Sequence, residues 1–155
     1  MSYLLCVFCA SDEPVALRDI AEFINDGVFF PTAPAYLPEP VGALGELAIR
    51  YQSDRKAVRV TRLLGEAEED VRGEAIGALH RARASDLAKE DIRRGIEAAR
   101  QVIAFEIDRS DMTESAWAML DCLENELITS RGGILYAEGD GFFGDGLERI
   151  ASLRL

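Results

Sequence analysis

Four carboxylates have the strongest claim to chemistry in this chain: Asp108, Asp111, Glu138 and Asp140. Asp108 and Asp111 follow the apolar run Val102-Ile103-Ala104-Phe105-Glu106-Ile107. Glu138 and Asp140 follow Ile134-Leu135-Tyr136-Ala137. Carboxylates are hard oxygen ligands, so a convergent set would hold Mg²⁺ or Ca²⁺, or act as acid and base. Convergence requires the two runs to be parallel strands ending at one sheet edge, where open α/β sheets bind ligands. The stretch 138–146 is not an EF-hand loop. Glu138-Gly139-Asp140-Gly141 departs from D-x-[DN]-x-[DN]-G, and no glutamate closes it. Gly139, Gly141, Gly144 and Gly146 are equally what a tight turn and a bulge require, so a solvated acidic turn competes with the metal reading.

Other reactive residue types lead to less. Cys6-Val7-Phe8-Cys9 has C-x-x-C spacing but lies inside a hydrophobic strand. Residues three apart on a strand point to opposite faces, so the two sulfurs diverge and behave as buried structural thiols. Cys122 and His80 both fall on helices and complete no zinc set. A single histidine excludes a multi-histidine centre, and no G-x-S-x-G accompanies it. Gly42-Ala43-Leu44-Gly45 lacks the Lys-Ser/Thr of a phosphate loop.

The remaining candidate is a surface. Residues 28–45 hold Pro31, Pro34, Pro38 and Pro40 among Phe29, Phe30, Tyr36 and Leu37. Proline blocks helix and central strand alike, so an irregular connection is expected. Its aromatics either cover one edge of the core or form a recognition surface.

The elements that must position these residues follow from periodicity. Residues 3–10 are apolar on both faces, as a central covered strand is. Leu17, Ile20, Ala21 and Ile24 mark the inward face of a helix. Residues 47–51 and 57–63 alternate and form a hairpin with one wet face, turning at 53–56. Arg50, Arg55, Lys56, Arg59 and Arg62 make it the only basic patch in the chain. Two helices follow, with a kink near Ala84-Ser85. Val71, Ala75, Leu79 and Ala82 point inward on the first, and Ala88, Ile92, Ile96 and Ala99 on the second. A last helix runs from Thr113 to about Thr129 with Ala116, Leu120, Leu123 and Leu127 inward. Asp111 and Glu114 have the spacing of its capping box. The order β, α, loop, β, β, α(α), β, α, β predicts an α+β fold. Its expected form is a ferredoxin-like βαββαβ core with an added C-terminal helix and strand, as a two-layer sandwich.

Composition bounds the function. At 155 residues and 48% hydrophobic, the chain fits one domain over 1–155. No apolar run approaches the ~20 residues of a membrane helix. The N-terminal run lacks a positive n-region, which predicts a cytoplasmic protein. The net charge of −11, from 28 acids and 17 bases, disfavours nucleic acid and anionic membranes. The expected function is a non-catalytic acidic protein-interaction or regulatory domain, immunity- or antitoxin-like in type. A protein partner or a second copy would bind at Phe29, Phe30, Tyr36 and Leu37. The alternative is a small metal-dependent enzyme or ligand-binding domain using Asp108, Asp111, Glu138 and Asp140. Mg²⁺ or Ca²⁺ at that site is the only cofactor either reading includes.

Overall fold

The apolar N-terminal run becomes β1 (Ser2–Cys9), covered on both faces: Cys6, Val7 and Cys9 expose no surface and Phe8 almost none. The structure is a computed structural model describing residues 2–154. The further strands are β2 (Ala35–Leu37), β3 (Glu46–Arg50), β4 (Val58–Leu63), β5 (Gln101–Asp108), β6 (Gly133–Ala137), β7 (Gly141–Phe143) and β8 (Arg149–Ser152). They form one eight-stranded sheet in the order β2-β3-β4-β5-β1-β6-β7-β8. Every pair of neighbours is antiparallel. The helices are α1 (Leu17–Gly27), α2 (Gly65–Arg81), α3 (Asp86–Ala98) and α4 (Glu114–Arg131).

Alternation along β1 divides two cores. Leu5, Val7 and Cys9 pack with Ile20 and Ile24 of α1 and Leu120 and Leu123 of α4. Cys6 and Phe8 pack with Ala75 and Leu79 of α2 and Ile92 and Ile96 of α3. The expected two-layer sandwich is therefore wrong, because helices lie on both faces. A strand apolar on both sides needs cover on both. Each large side chain so buried stabilises the fold by about 1.5–3 kcal/mol.

The strand order also differs from a simple βαββαβ. β1 runs parallel to β4 across β5, and β5 runs parallel to β6 across β1. The crossover through α4 thus spans β1 alone, as in a split βαβ, while α1 leads from β1 to the edge strand β2, across β5, β4 and β3. The α2–α3 pair joins β4 to β5 over the opposite face and leaves the β3–β4 hairpin to extend outward.

Local signals hold in part. Ser85 breaks the middle helices where the kink was expected, its hydroxyl accepting from the Ala88 N–H at 3.1 Å. α4 is capped by Thr113, which accepts from the Ala116 N–H at 3.1 Å, and not by Asp111. Asp111 is drawn away to the Lys56 backbone N–H. The proline-rich segment is not wholly irregular, since β2 forms between Pro34 and Pro38. It is an edge strand, where proline is tolerated. The glycine-rich stretch likewise contains β7, which pairs with β8. Gly141 sits at φ 147, where an added Cβ would collide with the Ala151 carbonyl.

No helix among the described residues is long and apolar enough to cross a membrane.

Candidate functional site

The end of β5 and the end of β6 lie at the same edge of the sheet, but β1 separates them. Asp108 stands opposite Ser2, and the Glu138 N–H donates to the Leu4 carbonyl at 3.3 Å. The four carboxylates share an edge without converging. Asp108 accepts from Lys56 Nζ at 2.8 Å and from the Ser110 hydroxyl at 2.7 Å. Those bonds, the Lys56 one first, hold its carboxyl well below the usual carboxylate range. Asp111 accepts from the Lys56 N–H at 2.6 Å, and its carbonyl accepts from Arg55 at 3.1 Å. Asp140 accepts from Tyr3 Oη at 3.0 Å and Arg154 Nε at 2.6 Å. Burial pushes its carboxyl up, but those hydrogen bonds outweigh it and hold the group below its usual value. Glu138 is exposed and lies toward Glu74 and Tyr136, both raised first by burial and then by neighbouring charge. Among the described residues, no group of three or more His, Cys, Asp or Glu is placed to hold a metal ion.

The Pro-aromatic candidates divide. Phe29, Phe30 and Tyr36 are partly buried against the α1/α4 core. Phe30 stacks on Tyr51 with ring centroids 5.3 Å apart, and Tyr36 Oη donates to Asn25 Oδ1 at 2.9 Å. Only Leu37 stands clear, at 60% exposed. The segment covers a core edge. The two cysteines of the C-x-x-C do diverge, Cys6 into the α2/α3 core and Cys9 into the α1/α4 core. Burial pushes their thiols up to about 12 and about 11, far from a reactive thiolate.

What the fold assembles instead is a cleft of about 910 Å³ on the α2/α3 side of the sheet, beyond the reach of those helices. Arg50, Arg55, Lys56 and Arg59 line it, with Glu106 and Asp108. The β3–β4 hairpin places them. Leu47, Ile49, Val58 and Val60 are fully buried on its other face, so the alternate positions, including Arg50 and Arg59, must face out. The hairpin turn adds Arg55 and Lys56. Some of this charge is already met: Lys56 pairs with Asp108, and Arg55 lies 3.9 Å from Asp111. Arg59 reaches Glu46 only at 3.8 Å, both side chains exposed. Arg50 has no ion pair among the described residues. The signal was legible as the chain's one basic patch. Arg62 alone departs from it, half-buried with its Nε unpartnered.

No protein-family model, curated protein or solved structure matches the chain.

Proposed function

We propose that the chain works by binding, as a protein-interaction domain of regulatory type whose partner presents an acidic segment to the cleft on the uncovered sheet face. The observation that carries this reading is the concentration of Arg50, Arg55, Lys56 and Arg59 around one recess in a chain of net charge −11. A cluster of cations kept together against the overall charge is complementary to carboxylates, and each guanidinium fork can donate to both oxygens of one carboxylate. The same net charge repels a polyanion at long range, which favours a short acidic segment over nucleic acid. A second copy of this acidic chain is one source of such a segment. The cytoplasmic setting belongs to the same proposal. The central strands β4, β5, β1 and β6 with α1 and α4 are read, on their interleaved crossovers, as an elaborated ferredoxin-like core.

The alternative, Mg²⁺ or Ca²⁺ on the four carboxylates, has no supporting geometry, since Asp108 and Asp111 are engaged at the hairpin turn and Asp140 by Tyr3 and Arg154.

Fluorescence anisotropy with a labelled octaglutamate peptide tests the reading. The expected outcome is binding at low salt that weakens as NaCl rises and is lost in Arg50→Glu/Arg59→Glu. Equal binding of an octaglutamine peptide, or undiminished binding in the double variant, would remove it. Sizing across a range of concentrations then shows whether a second copy supplies the acidic segment.

A further inference from the structure

On the other face of the sheet a second recess, of about 260 Å³, lies between α4 and strands β1, β6 and β7. Leu5, Leu135, Ala137 and Phe143 of the sheet form its floor, with Trp117 of α4 and Leu147 also lining it. The turn Asp145–Leu147 is tied to α4. The Gly146 N–H donates to Asn125 Oδ1 of α4 at 2.9 Å, and Leu147 adopts φ 56 in the left-handed region. This recess shares no lining residue with the basic cleft.

Glu124 lines it from α4. The residue is 1% exposed, and its Oε2 has no hydrogen-bond partner among the described residues. Buried carboxyls are almost always partnered, so an orphan of this kind asks for a ligand. The neighbouring polar groups are engaged elsewhere. Asp140 takes Tyr3 and Arg154, and the Arg109 guanidinium sits over the Tyr3 ring, 4.4 Å from its centroid. Asp121, one helical turn before Glu124, adds a second carboxylate at the rim. Burial first, and the Asp121 charge second, push the Glu124 carboxyl well above its usual value. With no countercharge beside it among the described residues, the acid is favoured in its protonated form. A cation arriving there would replace the proton as the neutralising charge.

We propose that this recess is a binding site for a small organic cation, an alkylammonium whose charged head meets Glu124 and whose apolar body packs on Trp117 and the Leu5/Leu135 floor. Its volume is about that of nine liquid waters, which suits a butylammonium-sized molecule. A bare divalent ion needs six or so oxygen ligands, and the floor and the Trp117 wall offer none. An ammonium needs one carboxylate and gains from an aromatic wall. Binding leaves Glu124 as carboxylate against the ammonium and releases its proton to solvent. Four titratable or charged groups line the recess with Glu124: Asp121 of α4, Tyr3 of β1, Arg109 after β5 and Asp140 before β7.

Calorimetric titration of the full chain with n-butylammonium chloride, with n-butanol as the neutral control, tests the site. Expected are saturable binding of the amine, far tighter than of the alcohol, and proton release that appears on repeating the titration in buffers of different ionisation enthalpy. Glu124→Gln should weaken binding roughly ten- to a hundredfold, the factor carried by a hydrogen bond to a charged group. The carbon-13 signal of the Glu124 carboxyl in the unmodified chain is an independent readout, moving to its ionised position as butylammonium is added. The proposal is overturned by equal binding of amine and alcohol, by a folded Glu124→Gln that binds like the unmodified chain, or by a Glu124 signal indifferent to the amine.

Discussion

Ser2 and Tyr3 are consecutive residues of β1, yet they line different recesses. Ser2 faces the basic cleft and donates to Glu106 at 3.2 Å, while Tyr3 faces the recess under α4 and donates to Asp140 at 3.0 Å. The pleat alone separates them, because successive side chains leave a strand on opposite sides. The two recesses then treat charge differently. In the cleft, Lys56 and Arg59 are 68% and 54% exposed, so water screens each pair and the side chains are free to turn toward a partner. Under α4, Glu124 is only 1% exposed, so little solvent screening reaches its carboxyl. Exposed side chains gather charge at little cost to the fold, whereas a buried carboxyl must be accounted for.

The sharpest way to break this contrast is Glu124→Met. Removing a buried, unpartnered carboxyl should raise stability at pH 8 by about 1–3 kcal/mol. It should also flatten the pH dependence. The folded-state pKa is raised, so the contribution of Glu124 is fully present below the ordinary carboxyl range and is lost as pH rises toward the folded value. Urea unfolding at pH 5 and pH 8 measures both. A variant with unchanged stability and slope would mean that Glu124 behaves like a surface acid and that the two recesses do not differ.

Tyr3→Phe comes next. It deletes the hydrogen bond to Asp140 and should cost about 1 kcal/mol by urea unfolding. Its neighbour Ser2→Ala, on the wet side, should stay within about 0.5 kcal/mol. Comparable losses from both would erase the distinction drawn along β1.

Lys56→Met isolates the best-formed pair of the cleft. The Asp108 carboxyl is held below its usual range, chiefly by Lys56. Its contribution is therefore present above the ordinary carboxyl pKa and lost as pH falls. The stability gap between this variant and the parent should close on acidification, as followed by thermal melts from pH 7 downward. A gap that widens in acid would contradict the pairing. Smallest for the fold is Arg50→Glu, expected within about 0.5 kcal/mol of the parent although octaglutamate binding falls. A folding defect in that variant would make Arg50 structural and leave the cleft without its unengaged cation.

Much of the local structure was legible. The two-sided apolar run 3–10 became the central strand, the 47–63 alternation became the hairpin, and Ser85 capped where a break was due. Among the candidate site residues, Phe29, Phe30 and Tyr36 turned out to cover a core edge, Asp108, Asp111 and Asp140 turned out to be ion-paired, and β1 separates the two acid pairs. Glu124 was overlooked although a signal existed. It lies four residues after Leu120 and four before Ile128, squarely on the inward side of α4. A glutamate in an otherwise acidic chain draws no notice until its surroundings are seen. The β7–β8 pair was missed because each strand is only three or four residues long and is read from sequence as turn.

Periodicity is a property of neighbours along the chain, so the sequence by itself determined the helices, the longer strands, the buried faces and the divergence of Cys6 from Cys9. Strand order is set by pairing between residues far apart, such as Ser2 with Asp108, and no local pattern encodes it. That order put β1 between the two acid pairs, drew Arg50, Arg55, Lys56 and Arg59 around one cleft, and buried Glu124 in the recess that Trp117 and Leu147 also line. Only the tertiary structure decided which charges remain in water and which one does not.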